Sequence, residues 1–451
     1  MTRTFRFAPS PTGLLHLGNI RPALLNWCLA RRAGGRFLLR FDDTDRERSE
    51  ERFVDAARED LHWFGVAPDA ELRQSDRLDR YARAADALRA SGRLYPCYET
   101  PEELERARAL QRAAKRPPIY DRAALRLTAE RRRELEGQGR RPHWRFKLSG
   151  GEAAWLDGVR GEVRIDTSTL SDPVCVREDG APLYVFASVV DDIELGVTDV
   201  VRGEDHVTNS AVQVEMFAAL GASPPALAHH NLLVGPSGEG FSKRDGSLSV
   251  RALREAGHEA MSVAALAVLS GTSEPVRAVA DLEELAGLVS LDTISRAPAK
   301  VDPADLARLD AQILARTPFE HARPRLAALG LDADEAFWLA VRPNLARLAD
   351  ARDWHRIVAH ATPAPAAEAE RPVLEAALRL APDGAWNAAT WASWTRAVSR
   401  ETGAKGRGLF LPLRRALTGL EHGPELAALL PLIGRERALE RLRGALAPAG
   451  A

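Results

Sequence analysis

The chain has 451 residues, 45% of them hydrophobic, and 62 Lys and Arg against 63 Asp and Glu give a formal net charge of −1. That length exceeds one ordinary domain, and the balanced charge excludes a uniformly basic nucleic-acid binder, so any RNA contact has to come from local patches. No apolar run of about 18 residues or leader-like segment is present; Cys28, Cys97 and Cys175 are too few and too scattered for a disulfide framework, and a cytoplasmic protein without a membrane span is expected.

Residues 5–8 suit a short buried strand, the Pro-Ser-Pro-Thr-Gly of residues 9–13 breaks it, and Ile20, Leu24, Trp27 and Cys28 recur at helical spacing. The reading is strand, tight turn, helix. With Pro22 taken as a first-turn proline, the helix starts near Gly18 and aims free N–H groups back at the turn, an arrangement suited to an anion. Gly13 and Gly18 leave the backbone open to a base or phosphate, and His16 offers an imidazole donor beside them. Residues 36–41 read as a second strand ending in the acidic turn 42–45, where Thr44 or Asp45 is expected to cap the next helix. Alternating strands and helices argue for a parallel α/β sheet whose strand ends, with His16 and Asp42, hold the ligand.

Residues 94–148 change character, with a charged helix over 101–114 followed by Pro117-Pro118, and read as an insertion. The sheet is expected to resume at 161–165, with further strands at 185–190 and 197–202, a helix over 208–220 and a last strand at 229–234. Next comes Gly240-Phe241-Ser242-Lys243-Arg244-Asp245-Gly246, a glycine-flanked Ser-Lys-Arg able to follow a departing pyrophosphate and neutralise its charge. Beyond residue 274 strand signals vanish and apolar residues keep helical spacing, as at Leu439, Leu442 and Leu446. Residues 362–367 read as a linker within this helical tail.

Taken together, these stretches resemble the class I aminoacyl-tRNA synthetases, and within them the bacterial glutamyl-tRNA synthetases. The first class signature, HIGH, corresponds to His16-Leu17-Gly18-Asn19 inside Ala8-Pro9-Ser10-Pro11-Thr12-Gly13, and the second, KMSKS, to Gly240-Phe241-Ser242-Lys243-Arg244. Further matches lie at Asp43-Thr44-Asp45-Arg46, Tyr184, residues 189–192, residues 196–205, and Lys405-Gly406-Arg407 leading to residues 412–419, so the resemblance covers almost the whole chain.

The resemblance implies a Rossmann-type parallel-sheet catalytic domain in two parts (1–93 and 161–245), an inserted acceptor-end-binding domain (94–160), a stem-contact helical domain (246–310), and an all-α anticodon-binding region (311–451) of two bundles meeting near 362–372. It implies ATP-dependent attachment of L-glutamate to tRNA(Glu) through glutamyl-adenylate, and leaves open whether tRNA(Gln) is also charged. It places His16, Gly18 and Lys243 in catalysis, Gly13, Asn19, Ser242 and Arg244 with them around ATP and its magnesium, and Arg6, Ser10, Asp42, Tyr184 and Arg202 around glutamate. Arginine suits that last task because its fork grips a carboxylate bidentately. Lys405, Arg407, Arg414 and Arg415 are the densest basic cluster of the tail and the expected tRNA phosphate contacts.

Many relatives hold zinc just after a Tyr-x-Cys. Here Cys97 is followed by Tyr98 and Glu99 with no cysteine or histidine near Tyr120, so no zinc is expected, and nothing demands more than a monomer. Three departures stand out: Asp42 for the usual Glu, Ser188 for a frequent Asn, and Gly240 for the first lysine of the second signature. The helical C-terminal half disfavours two rivals, the short paralogue that lacks it and the glutaminyl-tRNA synthetases, whose C-terminal half is β-barrel. Survival of His16, Gly18, Ser242 and Lys243 argues against a non-catalytic RNA-binding descendant.

Overall fold

The computed structural model describes residues 2–239, 248–360 and 365–447. Two compact units are formed, one of residues 1–256 and 263–303, the other of residues 257–262 and 304–451. The first opens with β1 (Thr4–Phe7), α1 (Leu17–Arg32), β2 (Arg36–Phe41), α2 (Glu51–Phe64), β3 (Ala70–Arg73) and α3 (Leu78–Ala90). There follow β4 (Leu94–Cys97), α4 (Pro101–Ala113), α5 (Ala129–Gly137), β5 (His143–Phe146), β6 (Glu152–Asp157), β7 (Gly161–Asp166) and β8 (Val174–Val176). The chain then returns through α6 (Tyr184–Glu194), β9 (Asp199–Gly203), α7 (Val207–Ala219), β10 (Ala226–His230) and β11 (Leu233–Val234).

The main sheet is parallel throughout, in the order β10-β9-β1-β2-β3, so the carboxyl ends of all five strands share one rim. Its strands are apolar because helices cover both faces: Phe5, Phe37, Leu39, Val200 and Val201 are all buried. The antiparallel sheet β4-β5-β8 does not stand apart. Leu94, Phe146 and Cys175 pack in one core with Tyr81 and Leu88 of α3, Phe186 and Val190 of α6 and Met216 of α7.

Five local expectations are corrected. Residues 185–190 are helical, within α6, because a short apolar run reads equally well as a buried strand or a buried helix turn; Phe186, Val189 and Val190 face the core while Tyr184 and Asp192 face the sheet rim. Residues 161–165 do not extend the main sheet but pair with β6 in a two-stranded hairpin, and the strand expected at 229–234 divides into β10 and a short β11 paired with Ala299–Lys300. Helix α1 begins at Leu17, which puts Pro22 in its interior instead of its first turn. Neither Thr44 nor Asp45 caps α2, which starts after Glu50; Asp45 instead accepts a hydrogen bond from Arg48 at 2.8 Å.

The second unit is helical, and a single apolar core runs from Leu314 to Ala445 around Trp338 and Trp394, continuing on both sides of residues 362–372. Part of the expected linker, residues 362–364, lies outside the described residues.

Candidate active site

The turn after β1 and the acidic loop after β2 are tied together at the sheet rim: the Asp42 N–H donates to the Pro9 carbonyl (3.0 Å) and the Glu50 N–H to the Pro11 carbonyl (3.1 Å). His16 caps α1 with its ring. Its Nδ1 accepts from the Gly18 N–H (3.1 Å), so the neutral imidazole carries its proton on Nε2. A side chain at residue 18 would bring its Cβ within 3.1 Å of the ring, whereas a Cβ at Gly13 would meet nothing within 4 Å. The expected row of free helix N–H groups is not found: Gly18 donates to the His16 ring, and Asn19 and Ile20 donate to the His16 carbonyl. The exposed side chains of Ser10 and Asn19 stand at the same turn.

Ser242, Lys243 and Arg244 lie outside the described residues. The chain beyond them returns to the same turn, where Ser249 bridges to His16 and the Val250 N–H donates to the Leu15 carbonyl at 2.8 Å.

Behind the turn, charges are buried in pairs. Arg6 grips Asp192 through two bonds (3.3 and 3.1 Å), and Arg40, only 1% exposed, reaches Asp42 (2.7 Å), Asp192 (2.8 Å) and Asp191 (3.5 Å). Asp191 also accepts from Arg77 (2.7 Å), Gln74 (3.0 Å) and the Tyr81 hydroxyl (2.9 Å). Three arginines thus face three aspartates. Burial pushes Asp42 up to about 6 despite the pull of Arg40, while Arg6 and Arg40 overcome burial at Asp192 and hold it below its ordinary value. Of these residues the sequence assigned a site role to Arg6 and Asp42 alone. Asp191 and Asp192 entered only within the family match over residues 189–192, and Arg40 did not enter at all, although adjacent acids closing an apolar run, and so unable to face away from the core, were an available signal of a role.

Arg202, at the end of β9, differs from the other three. Its NH1 donates to the Tyr184 hydroxyl (3.1 Å) and its NH2 to Ser210 and Gln213 (2.6 Å each), all neutral groups, while its buried Nε has no partner. Burial lowers its affinity for the proton it carries. Arg6, Asp192, Arg202, Ser210 and Gln213 line one small cavity, which brings together two of the expected glutamate residues, while Asp42 is turned inward onto Arg40.

In the inserted sheet, antiparallel pairing sets His143 opposite Cys97, and ligand atoms of Cys97, Glu99 and His143 lie within 4.8 Å of one another. Chain order had hidden this histidine. The Tyr120 hydroxyl bridges Glu99 (2.6 Å) and Cys97 (3.7 Å), while burial pushes the Cys97 thiol up to about 12 and raises the Tyr120 phenol as well. Three side chains, with the thiol neutral, fall short of the four-ligand set of a closed zinc site.

In the helical unit the four expected tRNA-contacting residues separate. Lys405 and Arg407 are exposed, whereas Arg414 is spent on the Pro424 carbonyl (3.0 Å) and Arg415 on Glu370 (3.3 Å). Phe410, 44% exposed on the helix that begins at Arg407, stands beside Trp391 with ring centres 6.1 Å apart. The sequence reading passed over both aromatics.

Residues 2–308 match the family described as tRNA synthetases class I (E and Q), catalytic domain, and residues 345–446 match the anticodon binding domain family. Glutamate–tRNA ligase 2 of Methylorubrum populi is 60% identical over 441 residues, covering 97% of this chain and 98% of that protein. Glutamate–tRNA ligase 1 of Chelativorans sp. is 52% identical over 454 residues, covering 98% of this chain and 100% of its own length. The crystal structure of a glutamate tRNA ligase from Elizabethkingia meningosepticum in complex with its amino acid has a TM-score of 0.85 at 26% identity and covers 99% of both chains. With the class I catalytic domain, the anticodon-binding domain and relatives alike over nearly its full length, the chain belongs to the glutamate–tRNA ligase family of class I aminoacyl-tRNA synthetases.

Proposed function

We propose that this chain activates L-glutamate with ATP and transfers it to the terminal ribose of tRNA(Glu). The observation that carries the substrate assignment is Arg202, a guanidinium 5% exposed whose partners among the described residues are all neutral. A buried cation without a carboxylate is costly unless a ligand supplies one. Arg202 is therefore assigned to the side-chain carboxylate of glutamate, with the Tyr184 hydroxyl beside it. Glutamine would set an amide N–H₂ against the same donors and leave them unpaired, a mismatch that discriminates by as much as about 10⁴ to 10⁵. Arg6, already shared with Asp192, is left for the α-carboxylate, and Asp42, at the turn that carries Ser10, for the α-ammonium group.

Catalysis then rests on positioning and charge stabilisation, with no side-chain nucleophile. His16 donates from Nε2 to phosphate oxygens, Gly13, Gly18 and Asn19 let ATP approach the turn, and Ser242, Lys243 and Arg244 follow the leaving pyrophosphate. Magnesium accompanies ATP, held by phosphates and water. No zinc is proposed, because Cys97, Glu99 and His143 are three candidate ligands where a closed zinc site takes four. At the other end, exposed Lys405 and Arg407 meet tRNA phosphates and Phe410 offers a face to an unpaired base. Arg414 and Arg415 are proposed to support that surface from within. No described helix is long and apolar enough to cross a membrane, in keeping with the proposed cytoplasmic monomer.

The test is charging of purified tRNA(Glu) and purified tRNA(Gln) with labelled glutamate, ATP and magnesium. Charging of tRNA(Glu) is expected, and charging of tRNA(Gln) as well would make the enzyme non-discriminating. Binding of tRNA with neither charged would overturn the catalytic reading.

A further inference from the structure

Arg202 is held from behind by hydrogen bonds that start on another element. Asp157, the last residue of β6, accepts from Nδ1 and from the backbone N–H (3.1 Å) of His229, and from the N–H groups of Val159 and Arg160 (3.0 Å each). Nδ1 faces this acceptor, which leaves Nε2 as the ring atom that meets Ser210, whose Oγ lies 2.6 Å from it and 3.3 Å from the His206 carbonyl. A guanidinium only donates, so the Oγ held in this way presents a lone pair to Arg202 NH2, also at 2.6 Å. Gln213 is oriented in the same sense, since its Nε2 donates to the Val185 carbonyl (3.3 Å) and its Oε1 faces Arg202 (2.6 Å).

Both protons of Arg202 NH2 are thereby committed to acceptors whose polarity is fixed elsewhere. Asp157, His229 and Ser210 are 3%, 0% and 0% exposed, so no water competes for these bonds. Nothing in the adenylation chemistry calls for a buried Asp-His-Ser chain at this place.

We propose that Asp157, His229 and Ser210 are positioning residues for Arg202: they hold NH2 in place so that NH1, beside the Tyr184 hydroxyl, is offered to the substrate carboxylate, and they thereby set selection of an acidic side chain over its amide. The proposal rests on the assignment of Arg202 to that carboxylate. Removing the link frees the guanidinium to rotate, which weakens glutamate binding while leaving the ATP site alone.

The decisive pair is Ser210→Ala and Ser210→Thr, measured by ATP–pyrophosphate exchange on the full chain with tRNA present. Ser210→Ala is expected to raise KM for glutamate about tenfold and to narrow the glutamate-to-glutamine ratio of kcat/KM by a similar factor. KM for ATP should stay within about twofold, and Ser210→Thr, which keeps the hydroxyl, should restore the glutamate KM. Asp157→Asn should act through the same chain, so that the double variant with Ser210→Ala loses no more than the worse single one. An unchanged glutamate KM in Ser210→Ala, an equal rise in both substrates' KM, or strictly additive losses in the double variant overturns the proposal. Arg202→Ala separates it from the reading beneath: if that variant keeps the glutamate KM, the substrate assignment fails, and if it loses glutamate binding while Ser210→Ala does not, only the positioning chain fails. Should Asp157→Asn not fold, the two Ser210 variants decide alone.

Discussion

The two units are built on opposite interiors. At the rim of the parallel sheet Arg6, Arg40, Asp42, Asp191, Asp192 and Arg202 are all buried within a few residues of one another in space, and each but Arg202 has a partner of opposite charge. The helical unit buries tryptophan and leucine around Trp338 and Trp394; its few buried charges, Glu259, Asp310 and Arg441, are tied to Arg325, Arg347 and backbone carbonyls. Buried ion pairs rarely stabilise a fold as well as apolar packing does. A unit that keeps so many has a ligand to position with them, whereas a unit with a dry interior can meet its partner only on its surface.

That contrast breaks most sharply at Arg202. Changing it to alanine should cut kcat/KM for glutamate by about 10³-fold or more, as loss of a buried charge pair does, while leaving the melting temperature unchanged or raised because an uncompensated cation is gone. Steady-state exchange and thermal denaturation on the same preparation test both halves. In the helical unit the reverse is expected: Trp338→Ala should cost about 3–5 kcal/mol of stability through the cavity it leaves, read by denaturant unfolding, with KM for glutamate unaltered.

Smaller effects sharpen the comparison. Lys405→Ala and Arg407→Ala should each flatten the dependence of log tRNA affinity on log salt by about one unit, whereas Arg414→Ala, which points inward, should alter stability more than that slope. Least of all, Asp42→Asn should remove a limb of the pH profile. Its carboxyl is pushed up to about 6, so glutamate binding that needs the carboxylate is lost as pH falls through that value. Stability runs the other way: the folded state holds the proton more tightly than the unfolded chain, so ionising Asp42 costs stability as pH rises from its ordinary value near 3.8 through about 6. A wild-type profile for kcat/KM of glutamate that is flat across pH 5–7, or an Asn variant that keeps the limb, would remove Asp42 from the site.

Sequence pattern reached the parts of this site that are local in the chain. The strand, turn and helix around His16 are written in consecutive residues, and so is the placement of Arg202 at a strand end. What it could not reach were relations created by folding. Arg40 is spaced from Asp42 like any alternating strand residue, and only the packing of α6 over the rim brings Asp191 and Asp192 to it. His143 lies 46 positions beyond Cys97, and strand pairing alone sets the two side by side. Residues 185–190 were misread because Val, Phe and Ala in a short run carry no period, and the helix is decided by Tyr184 and Asp192, which must point one way while the apolar residues between them point the other. Arg414 and Arg415 look as basic as Arg407 in sequence, and only the fold shows that both are half-buried, Arg414 against the Pro424 carbonyl and Arg415 against Glu370.

The hydrogen bond from His229 to Asp157 has a consequence for anyone treating the inserted region as a cassette. A graft or deletion that takes residues 94–160 as a self-contained piece would carry Asp157 away with it and leave His229 facing an empty acceptor position inside the catalytic unit. The exchangeable segment has to close before β6, so that the β6-β7 hairpin stays with the host. Even then the host must supply new apolar cover for Tyr81, Phe186 and Met216, which the inserted sheet now shields.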